Sequence, residues 1–173
     1  MKHCFLPIVI LFLLASVLLV GCRGTVTFNE KAAERDKAVA FFKGAYPIAK
    51  EIREVCNDWN DFLKKGVGYR DNPIQTINIC REFRSRLEKL QNDLSRLYAL
   101  PQLRQLKSDM ALCISTGISA FSLGEQCATK PEFESCNQAD EKILELNRLI
   151  MVLTDEWDDG LAHYNIKPSE VLQ

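Results

Sequence analysis

Seven cysteines and two histidines are the side chains whose reactivity could reach beyond packing in this 173-residue chain. Cys4 lies in an apolar leader and Cys22 directly follows it, whereas Cys56, Cys80, Cys113, Cys127 and Cys136 are spread over the remainder. A catalytic thiol or hydroxyl needs a base beside it. Beyond the leader the only histidine is His163, close to the C-terminus. No nucleophile-elbow glycine pattern surrounds any serine or cysteine, so His163 is read as facing solvent or the last carbonyls of its own helix. Zinc wants four closely spaced N/S ligands, and the chain has no Cys-x-x-Cys and no histidine pair. The Glu-x-x-His motif of di-iron bundles is missing too, as is any glycine-rich phosphate loop. Asn57-Asp58-Trp59-Asn60-Asp61 is rich in oxygen ligands but lacks the spacing and glycine of a calcium loop, and reads as a solvated face. The expectation is no catalytic residue, no metal and no cofactor.

The leader is more explicit. Lys2 and His3 precede the apolar run Phe5 to Val20, which closes on small residues, the layout of a secretory signal peptide. The run ends in Leu19-Val20-Gly21-Cys22, which resembles the lipobox of bacterial lipoproteins. That resemblance implies a signal peptide over residues 1–21, cleaved before Cys22, with Cys22 lipid-modified as the new N-terminus. It covers the first two dozen residues and no part of the chain beyond them. Arg23 stands where an aspartate would resemble the inner-membrane retention signal of enteric bacteria, which favours the outer membrane in a cell that has two. The implied location is lipid-anchored to the cell membrane or outer membrane, facing periplasm or exterior.

Without residues 1–21 the chain has 152 residues, 21 basic and 23 acidic, a formal balance of −2. Such a balance argues against nucleic acid as partner, since neutralising phosphates requires a basic excess. No second apolar run approaches the roughly 20 residues of a membrane span. The length suits one domain with a sizeable core.

The elements that must position these residues are all helical. Residues 22–28 read as the lipidated cysteine and a short tether, and residues 29–173 as the folded domain. From Asn29 to about Lys65, Phe41, Ala45, Ile48, Ile52, Val55, Trp59 and Phe62 alternate steps of four and three. Phe42, Ala49, Cys56 and Leu63 widen that face, and its phase runs through Pro47, predicting a kink. Gly66 and Gly68 end the helix. Asn72-Pro73 starts a second, with Ile77, Cys80, Phe83, Leu87, Leu90, Leu94 and Leu97 inward. Leu100-Pro101 breaks it, leaving open a single helix kinked at Pro101. A third carries Leu103, Leu106, Met110, Cys113, Gly117, Ala120 and Gly124 on one line. After Thr129-Lys130-Pro131, a fourth spans about Glu132 to Tyr164, with Cys136, Ile143, Leu146, Ile150, Leu153, Trp157, Leu161 and Tyr164 inward. The predicted fold is an all-α, antiparallel up-down-up-down four-helix bundle.

In such a bundle, residues equidistant from a turn lie level. A midpoint at 68 pairs Cys56 with Cys80, and one at Pro131 pairs Cys127 with Cys136. Cys113 falls about six residues, roughly 9 Å, from the level of Cys80, beyond disulfide reach, and is expected as a free buried thiol. The same operation sets the acidic run Asp155, Glu156, Asp158 and Asp159 level with Arg104 and Lys107. It sets Arg81, Arg84 and Arg86 level with Glu51 and Glu54. Met110 and Met151 come near one layer with Cys113. Gly117, Ala120 and Gly124 form a small stripe: glycine within a helix costs about 1 kcal/mol against alanine, so the stripe marks a close helix approach or a ligand groove.

The functional expectation is a non-catalytic binding or structural module of the bacterial cell envelope. It is held to the membrane at Cys22 and partnered with another envelope protein. In architecture alone it is similar to those secretin pilot lipoproteins that are small disulfide-bonded helical bundles. The alternative of a different class is a thiol- or ligand-binding bundle, carrying redox chemistry, haem or copper, built on Cys113 or the small stripe.

Overall fold

The computed structural model describes the backbone of residues 6–65, 69, 71–130 and 133–172, with side chains from Asn29 onward except Phe133. The glycines Gly66 and Gly68 and the turn residue Pro131 lie outside the described residues, as does the side chain of Cys22. The helices are α1 (Leu6–Lys64), α2 (Pro73–Ser95), α3 (Arg104–Thr129), α4 (Phe133–His163) and the short α5 (Pro168–Val171). The predicted all-α class holds. Among the described residues no helix is long and apolar enough to cross a membrane.

The chain separates into two compact units, Met1–Lys37 and Ala38–Gln173. Residues 23–28, expected as a tether, are helical and part of α1. The bundle begins at Ala38, the first buried side chain, because Asn29 to Lys37 offer no fully buried residue to a core. From there the seven positions from Phe41 to Phe62 are buried as predicted, while of the residues expected to widen that face Leu63 is exposed and Ala49 half-buried, and the helix continues through Pro47.

Asn72 caps α2, its Oδ1 accepting the Gln75 amide proton at 3.2 Å with Pro73 at the first helical position, an arrangement worth about 1 kcal/mol. At the other end the chain leaves the helix after Ser95. Leu100 takes ψ 156° ahead of Pro101, and a 3-10 turn, Pro101–Leu103, leads into α3. The proline therefore separates two helices, because the residue before it is pushed out of helical angles. Lys107 secures the bend by donating to the Ser95 and Leu97 carbonyls. Helix α4 stops without a glycine: Asn165, at φ 51°, adopts the left-handed conformation, and the Ile166 amide donates back to the Leu161 carbonyl at 2.9 Å. Asparagine tolerates this region better than most residues.

Contacts across the helices fix the register. Gly44 of α1 abuts Leu97 just past the end of α2, and Trp59 abuts Phe83 between α1 and α2; Gly117 abuts Leu87 and Gly124 abuts Cys80 between α2 and α3. Gly117 also meets Leu146 of α4, and Gly160 meets Phe42 of α1. Each neighbouring pair runs antiparallel, as an up-down-up-down bundle requires. One end of the core is aromatic: Trp59 lies 5.4–6.5 Å from the rings of Phe62, Tyr69, Phe83 and Phe121, and Phe83 and Phe121 meet at 5.2 Å. Such pairs add about 0.5–1.5 kcal/mol each beyond their area.

Two ion clusters tie the helices outside the core. Arg86 of α2 donates to Glu51 at 2.7 Å and Asp58 at 3.0 Å on α1, and these carboxylates outweigh its desolvation and raise its pKa. Arg81 and Arg84 converge on Glu125 of α3 at 2.6 and 2.9 Å. Against the upward push of burial, they bring the Glu125 carboxyl below its ordinary value. The pairing of Arg86 with Glu51 is as expected; the other two arginines turn to α3 instead of Glu54.

Candidate functional site

Cys127 and Cys136 are bridged, with Cα atoms 5.0 Å apart, joining the end of α3 to the start of α4. Cys56 and Cys80, predicted as a second bridge, are free. The contacts Gly44–Leu97 and Trp59–Phe83 centre the α1/α2 hairpin near residue 71 instead of 68. That slip places Cys56 level with about residue 86, six residues or roughly 9 Å from Cys80 at 1.5 Å per residue. Cys80 also turns toward α3, its Sγ only 3.0 Å from where a Cβ on Gly124 would stand.

Cys113 is a free thiol, wholly buried, and its electrostatic neighbours are Cys56, Asp109 and Glu156. Burial pushes the thiols of Cys56, Cys80 and Cys113 up to about 12 each. At neutral pH the thiolate is then about one part in 10⁵ of each, far from the poised thiolate of a reactive cysteine. His163 is exposed at the end of α4, its ring packed edge-on against Tyr164 at 4.7 Å. No reacting constellation forms around it. Met110 is fully buried but Met151 is 71 % exposed, so the two share a level but not a face. Among the described residues no group of three or more His, Cys, Asp or Glu is placed to hold a metal ion.

The stripe Gly117, Ala120 and Gly124 is a closed seam, not a groove. All three are buried. A Cβ on Gly117 would sit 2.6 Å from Leu87 Cδ1 and 3.3 Å from Leu146 Cδ2, and one on Gly124 would sit 3.1 Å from the Tyr69 ring. The neighbours are Leu87, Leu146, Cys80 and Tyr69.

The open depressions lie elsewhere. Between α1 and α4 runs a groove of about 280 Å³, floored by Ile52 and Leu153 and walled by Tyr46, Ile150 and Trp157. Trp157 packs edge-on against the buried Phe42 at 4.9 Å and tilted against Tyr46 at 6.4 Å, which holds both walls in place. Arg53 lies on the α1 lip, donating to the Thr154 hydroxyl at 3.2 Å across the groove.

A second depression, between α3 and α4, holds the one carboxyl among the described residues whose pKa is pushed strongly upward. Glu156 shares a side-chain hydrogen bond with Asp109, and its Oε2 is buried with no partner. Burial first, then Asp109 and Asp159, push its pKa to about 7. The acidic run was expected to meet Arg104 and Lys107. Lys107 is instead engaged by the α2 carbonyls, so Glu156 meets another carboxyl. Neither this pair nor the α1/α4 groove is visible in sequence, since Trp157 and Tyr46 read there as ordinary members of a core stripe or surface.

Compared with known proteins, the chain matches no family model, no curated protein and no solved structure. The class that the fold and its surfaces define is an all-α helical bundle with a disulfide. No family enters beyond it.

Proposed function

We propose that the protein is a lipid-anchored, extracytoplasmic lipoprotein of the bacterial cell envelope that acts by binding, without catalysis. The observation that carries this reading is a lipobox-like Leu19-Val20-Gly21-Cys22 ahead of a bundle whose free thiols are all buried and protonated. A thiol mechanism needs a thiolate that substrate can reach, and Cys113 offers neither. A thiol- or haem-based reading loses its support with Cys113 enclosed and Met151 turned out to solvent. The feature that supports binding is the open apolar groove between α1 and α4.

Two experiments test the two halves of the proposal. In the native host, metabolic palmitate labelling and membrane fractionation of Cys22→Ala should show no label and a protein that is unprocessed or released. Full labelling of that variant would remove the lipobox reading. For the second half, His163→Ala combined with Cys113→Ala should complement a deletion strain nearly as well as the parent. A buried cysteine behaves as a small hydrophobe, so its replacement by alanine costs little fold stability. If the double variant folds normally and all function disappears, the protein acts through one of these side chains and the non-catalytic reading is wrong.

A further inference from the structure

We infer that the α1/α4 groove is the docking surface, and that its occupant is a short amphipathic helix of a protein partner carrying an acidic residue on its flank. The inference rests on the binding reading above and names the surface and chemistry it would use. Length is the first argument. The groove extends from Tyr46 to Arg53 along α1 and from Trp157 to Ile150 along α4. Seven residues are two helical turns, about 10 Å, the spacing at which an incoming helix presents anchors at i, i+3 or i+4, and i+7. The volume of about 280 Å³ suits two or three aliphatic side chains, with Trp157 and Tyr46 as fixed apolar walls.

Near the groove, α4 also exposes Met151, next in sequence to the lining residue Ile150.

Charge selects the partner. Lys50 and Arg53, three residues apart on α1, both line the groove. Lys50 has only the exposed Glu54 at 3.6 Å. Arg53 makes no ion pair among the described residues, and its hydrogen-bond partner is the neutral Thr154 hydroxyl. Asp158 stands on the opposite lip of the same groove, leaving two basic side chains against one acidic in its lining. A guanidinium at the edge of an apolar floor, held in place and in no ion pair, is matched by an acidic side chain that arrives with apolar anchors beside it.

The experiment is photo-cross-linking in the native membrane with the full lipidated chain. A benzophenone amino acid replaces Lys50 or Thr154 on the groove, or Gln91 on the opposite α2/α3 face, each variant first shown to melt like the parent. Adducts are identified by sequencing the cross-linked peptide. From Lys50 and Thr154 the expected adduct is a protein segment with apolar residues at helical spacing and an aspartate or glutamate on its flank. Adding Arg53→Glu should cut its yield about tenfold or more, the loss of one charge-assisted contact plus the new repulsion. The inference is overturned if the groove probes yield lipid, a second copy of this chain, a basic segment or nothing, or if Arg53→Glu leaves the yield unchanged. A protein adduct from Gln91 alone would move the docking surface elsewhere and leave the binding reading standing; no protein adduct from any position would remove both.

Discussion

Gly117→Leu is expected to destabilise the bundle by about 3 kcal/mol or more, or to prevent its folding, at the upper end of what overpacked cores lose. The cause is the three-helix contact at this residue. A Cβ alone would stand 2.6 Å from Leu87 Cδ1 and 3.3 Å from Leu146 Cδ2. Both leucines are almost fully buried, so neither can swing into solvent to make room for three further carbons. Gly117→Ala should be far milder, because better helix propensity, worth about 1 kcal/mol, offsets part of the strain. A compensating cavity distinguishes this explanation from a general intolerance of substitution. Leu87→Ala alone should cost about 2–5 kcal/mol, yet combined with Gly117→Leu it should recover much of the lost stability. Urea denaturation of the four proteins measures that coupling directly. If Gly117→Leu melts like the parent, the stripe is an open groove after all, and the close α2/α3/α4 approach is wrong.

Periodicity alone recovered the parts of the fold that depend on which face of a helix is apolar. All seven positions on the α3 line are buried, from Leu103 to Gly124. The same holds for the seven α1 positions from Phe41 to Phe62. What depends on a turn was less legible. Level-matching multiplies any error in a hairpin's midpoint by two, and the shift from 68 to about 71 was enough to separate Cys56 from Cys80. The disulfide at Cys127–Cys136 survived because only a short turn separates its partners. Level also says nothing of azimuth: Arg81 and Arg84 point to Glu125 of α3. The α1/α4 groove escaped for a related reason. It is lined by half-buried residues from the margins of two stripes, and no single-helix pattern marks where two margins meet.

Glu156→Gln should make the protein more stable above neutral pH while leaving it unchanged in acid. The folded-state pKa of Glu156 is raised from 4.5 to about 7, first by burial and then by its hydrogen bond and proximity to Asp109. Between these two values the folded chain binds a proton that the unfolded chain has released, so stability falls as pH rises across the window. Above about 7 the folded protein must hold an ionised Glu156 against the Asp109 and Asp159 carboxylates, with Oε2 buried and unpartnered. Part of the side chain remains in water, which screens the effect to about 1–2 kcal/mol, or a few degrees in melting temperature for a chain of this size. Glutamine keeps the shape and the ability to donate to Asp109 but has no charge to suppress. Melting temperatures measured from pH 4 to pH 9 should therefore coincide for the two proteins at the acid end and diverge through neutrality, with the variant higher. Asp109→Asn should flatten the wild-type decline in the same window by removing the facing charge, although the Gln105 side chain, which donates to Asp109 at 2.8 Å, loses its charged acceptor. Parallel pH profiles for wild type and Glu156→Gln would mean that Glu156 titrates as an ordinary surface carboxylate, and the α3/α4 carboxyl pair would not be a proton-linked contact.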